Sequence, residues 1–213
     1  MDCPEDNKES LLPSEIKLVS SNEGDLTLEV SKSNAADKVD SYNLVYDITC
    51  GEQTKQVTRS LGRPPISTSF IHDYKRLFEG VNTVKITLAA LKNGYTEEQT
   101  TFTATVNYTV NEPISYGGGI SAQIADATTA GMKTLTVRGL KPNQGYRIAA
   151  QVGEGGTVNY REGVTNGEGT FTSTWHADYA FDRCTISEWT VSGVTETTAS
   201  IVCTPYSGTV AFT

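Results

Sequence analysis

The sequence predicts an all-β protein built as two β-sandwich domains in tandem. The prediction rests on short runs that alternate apolar and polar residues, on turn residues spaced regularly between them, and on the recurrence of both patterns on either side of a glycine-rich joint, Ile114 to Gly119. With 213 residues, each half of the chain is long enough to bury a core of its own. The expected layout is a flexible N-terminal tail over 1–13, a first sandwich over 14–111, a Gly-rich linker over 112–119 and a second sandwich over 120–213.

In the first half, Ile16 and Leu18 alternate with polar neighbours, and Leu26, Leu28 and Val30 follow the turn Asn22-Glu23-Gly24-Asp25. Tyr42, Leu44, Tyr46, Ile48 and Cys50 form the clearest period-two run. Gly51-Glu52 turns the chain into the more polar Gln53 to Arg59, which suits a sheet edge because charge there discourages stray pairing. Pro64-Pro65 breaks the chain before Ile66, Thr68 and Phe70, and His72 to Gly80 reads as a helical turn or wide loop. Val84, Ile86, Leu88 and Ala90 alternate next, and after Asn93-Gly94 so do Phe102, Ala104, Val106, Tyr108 and Val110. Seven short strands with turns between them, in about 100 residues, is the pattern of an immunoglobulin-like sandwich.

The stretch Leu77-Phe78-Glu79-Gly80-Val81-Asn82-Thr83-Val84-Lys85-Ile86 resembles immunoglobulin-like modules in phage tail and head fibres, and modules in surface proteins of gut bacteria. The resemblance covers residues 40 to 110 and implies an extended, non-catalytic display or adhesion role. In the second half, Leu140-Lys141-Pro142-Asn143-Gln144-Gly145-Tyr146-Arg147-Ile148 resembles the loop and tyrosine that lead into a strand of fibronectin type III-like modules. Val164-Thr165-Asn166-Gly167-Glu168-Gly169-Thr170-Phe171 is similar to the turn and strand of bacterial and phage immunoglobulin-like repeats. Further strands are expected at Ile120 to Ile124, Leu135 to Val137, Tyr146 to Val152, Phe171 to Trp175, Cys184 to Trp189, Ala199 to Cys203 and Gly208 to Phe212. Parity changes between Ile186 and Trp189, which suggests a bulge or a strand that turns a corner. The last strand-like run fits either a place in its own sheet or addition to a neighbour's sheet edge.

Composition removes several functions. A formal net charge of -8 and scattered basic residues, with no run longer than Lys75-Arg76, argue against nucleic acid, which needs clustered Lys and Arg. A charged fraction of 20% and a hydrophobic fraction of 37% are those of a folded protein. No apolar stretch approaches the roughly 20 residues that span a bilayer as a helix. The opening Met1-Asp2-Cys3-Pro4-Glu5-Asp6 lacks the basic and apolar regions of a secretory signal. Two readings stand: a chain used without export, as phage virion proteins are, or a processed lipoprotein with Cys3 as its lipid anchor.

The four cysteines lack CxxC spacing and have no histidines placed to complete a zinc site, so no metal is expected. Cys184 and Cys203 fall in strands on either side of a turn-rich segment and are candidates for a disulfide, against the alternative of buried thiols. Cys203 follows Cys184 too closely to be the inter-sheet pair of an antibody domain.

The search for catalytic chemistry finds little. The two histidines, His72 and His176, lie in different halves, and no Gly-x-Ser-x-Gly elbow, phosphate loop or dinucleotide fingerprint occurs. Gly117-Gly118-Gly119 precedes a strand rather than a helix, so it reads as a hinge, and Asp37 with Asp40 reads as a solvated pair. The richest cluster is Trp175-His176-Ala177-Asp178-Tyr179-Ala180-Phe181-Asp182-Arg183. Its Trp175, His176, Asp178 and Tyr179 are the candidate ligand-binding or partner-binding residues, for a protein or for a glycan that stacks on the rings. The competing reading puts Trp175 and Phe181 in the core. Asp178 and Asp182 supply too few oxygen ligands for calcium, and Asn107-Tyr108-Thr109, a glycosylation acceptor by spacing, is expected to be unmodified.

The expectation is therefore a non-catalytic structural or adhesion protein without a cofactor, displayed on a phage virion as part of an oligomer. Its partners would be other virion or surface proteins or a cell-surface glycan. The alternative is a lipid-anchored protein of a bacterial cell surface that binds glycan or a partner protein.

Overall fold

Period-two alternation decides which segments pair and which way they face. The computed structural model describes residues 9–13, 15–22, 25–31, 33–62, 69–71, 77–116, 118–178 and 180–213. The chain divides into two units, Met1–Thr109 with Val191–Ile201, and Val110–Thr190 with Val202–Thr213. Val191–Ile201 thus groups with the first unit, although sequence order puts it in the second half.

Unit 1 carries β1 (Ile16–Asn22), β2 (Asp25–Val30), β3 (Ser41–Cys50), β4 (Gln53–Gly62), β5 (Ser69–Ile71), β6 (Gly80–Lys92) and β7 (Tyr95–Val110, whose last residue groups with unit 2). One sheet has the order β1-β2-β5 and the other β4-β3-β6-β7, with β1 and β2, β2 and β5, β3 and β4, β3 and β6, and β6 and β7 pairing antiparallel. The inward residues of β3, Tyr42, Leu44, Tyr46 and Ile48, meet Val84, Ile86, Leu88 and Ala90 of β6, and all are buried. Leu28 and Val30 of β2 are fully buried as well. The hairpin between β6 and β7 turns on Asn93 and Gly94, both at positive φ (51° and 82°), the backbone that suits two-residue hairpins. Asn93 N–H donates to Asp40 Oδ2 at 2.7 Å, so Asp40 is a turn anchor, while Asp37 is exposed in a single 3₁₀ turn, Ala36–Lys38. Beside β7, Thr105 N–H donates to Thr197 O at 2.7 Å.

Unit 2 carries β8 (Ile114–Ser115), β9 (Ser121–Asp126), β10 (Met132–Arg138), β11 (Gly145–Gln151), β12 (Val158–Val164), β13 (Phe171–His176), β14 (Arg183–Ser192), β15 (Thr198–Ser207) and β16 (Val210–Ala211), with the adjoining ends of β14 and β15 grouping with unit 1. Its sheets have the orders β13-β10-β9 and β12-β11-β14-β15. Counted from β9, the first, second and fifth strands form one sheet, and the fourth, third, sixth and seventh the other. Unit 1 has the same order counted from β1. This is the strand division of an immunoglobulin-like sandwich, present twice, with the fourth strand paired to the third rather than to the fifth as in the constant-type domain. The core of unit 2 joins Leu135, Val137, Tyr146, Ile148, Phe171, Trp175, Cys184 and Ile186 across the two sheets.

Several expectations are sharpened. The register of β11 with β14 runs unbroken from Gln151↔Arg183 to Gly145↔Trp189, so the parity change after Ile186 is not a bulge in this pairing. Ile186 faces the core, whereas Trp189 lies on the opposite face and is buried there beneath the Arg147 guanidinium, 5.7 Å from its ring centre. The C-terminal run stays in its own unit: β16 pairs with β14, and Phe212 bridges Ala122 of β9. The 112–119 segment groups with unit 2, where Gly119 lies so close to Gly139 that a side chain at 139 would strike its carbonyl. Residues 9–13, expected as tail, are anchored, with Leu11 and Pro13 buried. Cys3, His72 and Tyr74 lie outside the described residues.

Each unit also uses buried polar side chains to hold the loop that crosses from sheet to sheet. In unit 1, fully buried Asn82 accepts from Phe78 N–H at 2.8 Å and donates to Phe78 O at 2.6 Å and Gly80 O at 3.0 Å. In unit 2, Lys141 N–H donates to the Tyr146 hydroxyl at 3.0 Å. Replacing Asn82→Ala leaves these main-chain groups without their partner and should cost about 1–3 kcal/mol of stability. Urea titration checks this, and a loss below about 0.5 kcal/mol, the level of an ordinary surface substitution, would contradict it.

Candidate functional site

Strand β13 delivers the expected aromatic cluster to one end of unit 2, but turns its tryptophan inward. Trp175 is 1% exposed and its indole N–H donates to Ser173 Oγ at 2.7 Å. Phe181 meets it edge-on with ring centres 5.1 Å apart, and the Arg161 guanidinium sits 4.2 Å from its centre. Trp175 is therefore packed in the core, where its ring is not open to stack on a ligand. His176 and Asp178 are exposed beside it, and Tyr179 lies outside the described residues. Main-chain bonds from Ala177 N–H to Gly131 O and from Asp182 N–H to Gln151 O close this loop end. The Asp182 carboxylate accepts from Gly153 N–H at 2.9 Å and from Arg183 Nε at 3.1 Å; the Arg183 bond, then the Gly153 amide, hold it below the ordinary carboxylate range. Among the described residues, no group of three or more His, Cys, Asp or Glu is placed to hold a metal ion.

Of the two alternatives for Cys184 and Cys203, a disulfide or buried thiols, the structure has the thiols. Both are buried as thiols in adjacent strands. Cys184 lies opposite Ala150 on β11 and Val210 on β16, inside the apolar core. Burial pushes its thiol up to about 12, which keeps it protonated and unreactive at neutral pH.

A polar cluster that sequence reasoning missed surrounds Tyr146. Glu188, 8% exposed, accepts from Lys141 Nζ at 2.8 Å, and the Tyr146 and Tyr206 hydroxyls face its other oxygen at 3.5 and 3.4 Å. The Glu188 bond holds the Lys141 ammonium above its ordinary value. Tyr116 stacks on Tyr206 with centres 5.6 Å apart. On the outer face of the same sheet, Arg147 is ion-paired with Glu162 and packs over Tyr160 at 5.2 Å as well as Trp189. These charges serve to hold strands and rings together. Only Tyr146 was signalled in advance, by the loop that precedes it.

The broadest feature of unit 1 is the outward face of its larger sheet. Register places Thr54, Thr49, Thr83 and Thr105 in one cross-strand row, all exposed. The next row is Gln56, Asp47, Lys85 and Thr103, and the third is Thr58, Val45, Thr87 and Thr101. Sheet geometry spaces these side chains about 4.8 Å apart across strands and about 6.8 Å along them. Lys85 lies opposite Asp47, so the face carries hydroxyls and little net charge in a chain of charge -8. The signal was Thr101, Thr103 and Thr105 at period two, which is legible only once the pairing is known.

No protein-family model matches the chain, and no curated protein does. Among solved structures it is similar to the FN1–FN3 domains of chicken CNTN1, with 11% identity, a TM-score of 0.35 and coverage of 95% of this chain and 67% of that one. It is also similar to the chicken interferon gamma receptor alpha chain, with 8% identity, a TM-score of 0.32 and coverage of 93% and 96%. The fold class stands on the strand order: this is an all-β protein of immunoglobulin-like sandwiches. Among the described residues, no helix is long and apolar enough to cross a membrane.

Buried ionisable groups set the response to alkali. Burial raises Cys184 from 9.0 to about 12 and Tyr116 from 10.0 to about 12, and it raises Tyr46 and Tyr146 too. These groups stay neutral when folded but ionise in the unfolded chain, so their contribution is complete below pH 9 and is lost as pH climbs towards 12. Stability should be flat from pH 7 to 9, then fall by up to about 1.4 kcal/mol per group per pH unit. Urea midpoints across that range check this; a midpoint that is unchanged at pH 11 contradicts it.

Proposed function

We propose that this chain is a non-catalytic structural and adhesion protein that works through broad protein–protein or host-surface contacts and is displayed on the exterior of a phage virion. The observation that carries the contact reading is the exposed threonine-rich face of unit 1, which offers an extended, nearly neutral surface. The pairing of Arg147 with Glu162 and of Lys141 with Glu188 supports the non-catalytic part, because these charges are spent on holding the sandwich. The virion setting rests on the resemblance of the Leu77 to Ile86 stretch to phage fibre modules.

Mass spectrometry of the protein from its native source tests the setting. Recovery of the unacylated chain from purified particles is the expected result. A chain beginning at an acylated Cys3 in a membrane fraction would replace this reading with that of a lipid-anchored surface protein. On purified particles, Thr83→Lys with Thr105→Lys should leave the melting temperature nearly unchanged, since exposed substitutions cost about 0.5 kcal/mol or less, while reducing retention. Retention equal to the parent chain would remove this face from the contact.

A further inference from the structure

Strand β7 closes the order of the larger sheet in unit 1, and only part of its outer edge is covered. Thr105 N–H donates to Thr197 O at 2.7 Å, on the side away from β6. The register with β6 is unbroken from Gly80↔Tyr108 to Ala90↔Glu98, so the N–H and C=O of Thr103 and Thr101 point the same way as those of Thr105. β15 starts at Thr198 and runs away from them, since Cys203 O accepts from Asn111 N–H, further along the chain. Among the described residues, no strand pairs with this edge at Thr101 or Thr103.

A groove of about 180 Å³ opens beside it, lined by Thr100, Thr101 and Phe102 of β7 and by Pro13, Glu15 and Ile16. Successive side chains of a strand point to opposite faces, so a groove that touches three in a row and none of β6 follows the open edge. Its far wall is fixed. Glu98 accepts from the Ser10 hydroxyl and from Leu11 N–H, both at 2.7 Å, and Glu15 N–H donates to Ser31 Oγ at 2.8 Å. The edge is also unguarded. Gln99 to Thr105 contains no Lys, Asp, Glu, Pro or Gly, whereas β4, at the opposite edge of this sheet, carries Lys55 and Arg59 on its half-buried side. Such charges discourage pairing at β4, and their absence leaves β7 open to it.

We infer that this edge takes an extended peptide segment of a partner protein, which pairs with Thr101 and Thr103 through main-chain bonds and sets an aliphatic side chain against Pro13, Ile16 and Phe102. An extended strand offers donors and acceptors at the spacing that Thr101 and Thr103 present. Unit 2 holds the same kind of pair within its own chain: β8 lies along β15, with Ile114 opposite Tyr206 and Ser115 opposite Ser207. Glu15 at the groove favours a basic residue in the segment, because Lys17, the nearest cation in sequence, pairs with Glu29 at 3.4 Å. The bonds come from the main-chain edge of β7 rather than from the outward threonine side chains, so the site does not depend on the virion setting.

The test is amide hydrogen exchange of the full chain, read by NMR, with the acetylated and amidated peptide Lys-Thr-Ile-Thr-Ile-Thr-Lys. Exchange at Thr101 and Thr103 is expected to slow by about tenfold or more, while exchange at Ala104, whose N–H faces β6, stays unchanged. A version of the peptide with every backbone nitrogen methylated should have no effect, and Glu in place of both Lys should weaken binding. Thr101→Pro, a substitution that edge strands tolerate, should abolish binding in a folded chain. If that variant does not fold, the methylated peptide decides alone. No slowing at the highest soluble peptide concentration, or equal slowing by the methylated peptide, overturns the proposal. Protection of Thr101 and Thr103 to the level of Ala104 before any peptide is added overturns it too. If that protection is independent of protein concentration, the chain covers its own edge; if it rises with concentration, a second copy does.

Discussion

A hydrogen bond between a buried strand side chain and the loop that feeds the strand recurs in this protein, and the sandwiches depend on it. A chain that leaves one sheet for the other must carry polar main-chain groups past an apolar core, where an unpaired amide costs about 1–3 kcal/mol. Unit 1 meets that cost at the crossing into β6 with Asn82, whose amide answers Phe78 and Gly80. Unit 2 meets it at the crossing into β11 with Tyr146, whose hydroxyl takes Lys141 N–H and faces Glu188. Thr165 reinforces the second crossing by donating to Lys141 O and accepting from Gln144 N–H. With those loops fixed, the central strands of each larger sheet hold their place, and the alternating core follows.

The fold was legible because its information is local. Tyr42 to Cys50 and Val84 to Ala90 alternate cleanly, Asn93-Gly94 marks a hairpin, and Gly169 sits at a positive φ where a side chain would strike the Leu140 carbonyl. What was not legible depended on pairing between distant segments. Trp175 and Trp189 look alike in sequence as aromatics near strand ends. One faces the core and the other the outer surface beneath Arg147, and only the register separates them. Cys184 and Cys203 are close in sequence and in adjacent strands, yet Cys184 sits in an apolar core opposite Ala150. The anchoring of residues 9–13 was hidden because Glu98 lies more than eighty positions away. Leu11, Leu12 and Pro13, the apolar run in an otherwise polar stretch, were its one local sign.

Function follows the same division. The residues with the most chemistry, Arg147, Glu188, Lys141 and the tyrosines around them, are absorbed in holding strands and rings together. The outward face of unit 1 instead presents a lattice of short hydroxyl side chains on four strands, whose rows exist only through the register of β4, β3, β6 and β7. Such an arrangement suits contact over an area more than chemistry at a point.

The most direct measurement is native-state hydrogen exchange at the amides of Phe78 and Lys141, in the loops tied by Asn82 and Tyr146. The account predicts that both are protected to the level of the core strands they precede, because opening either loop means breaking a bond to a buried side chain. Exchange at the rate of an ordinary surface loop would show that these ties do not hold the crossings, and the account built on them would fail.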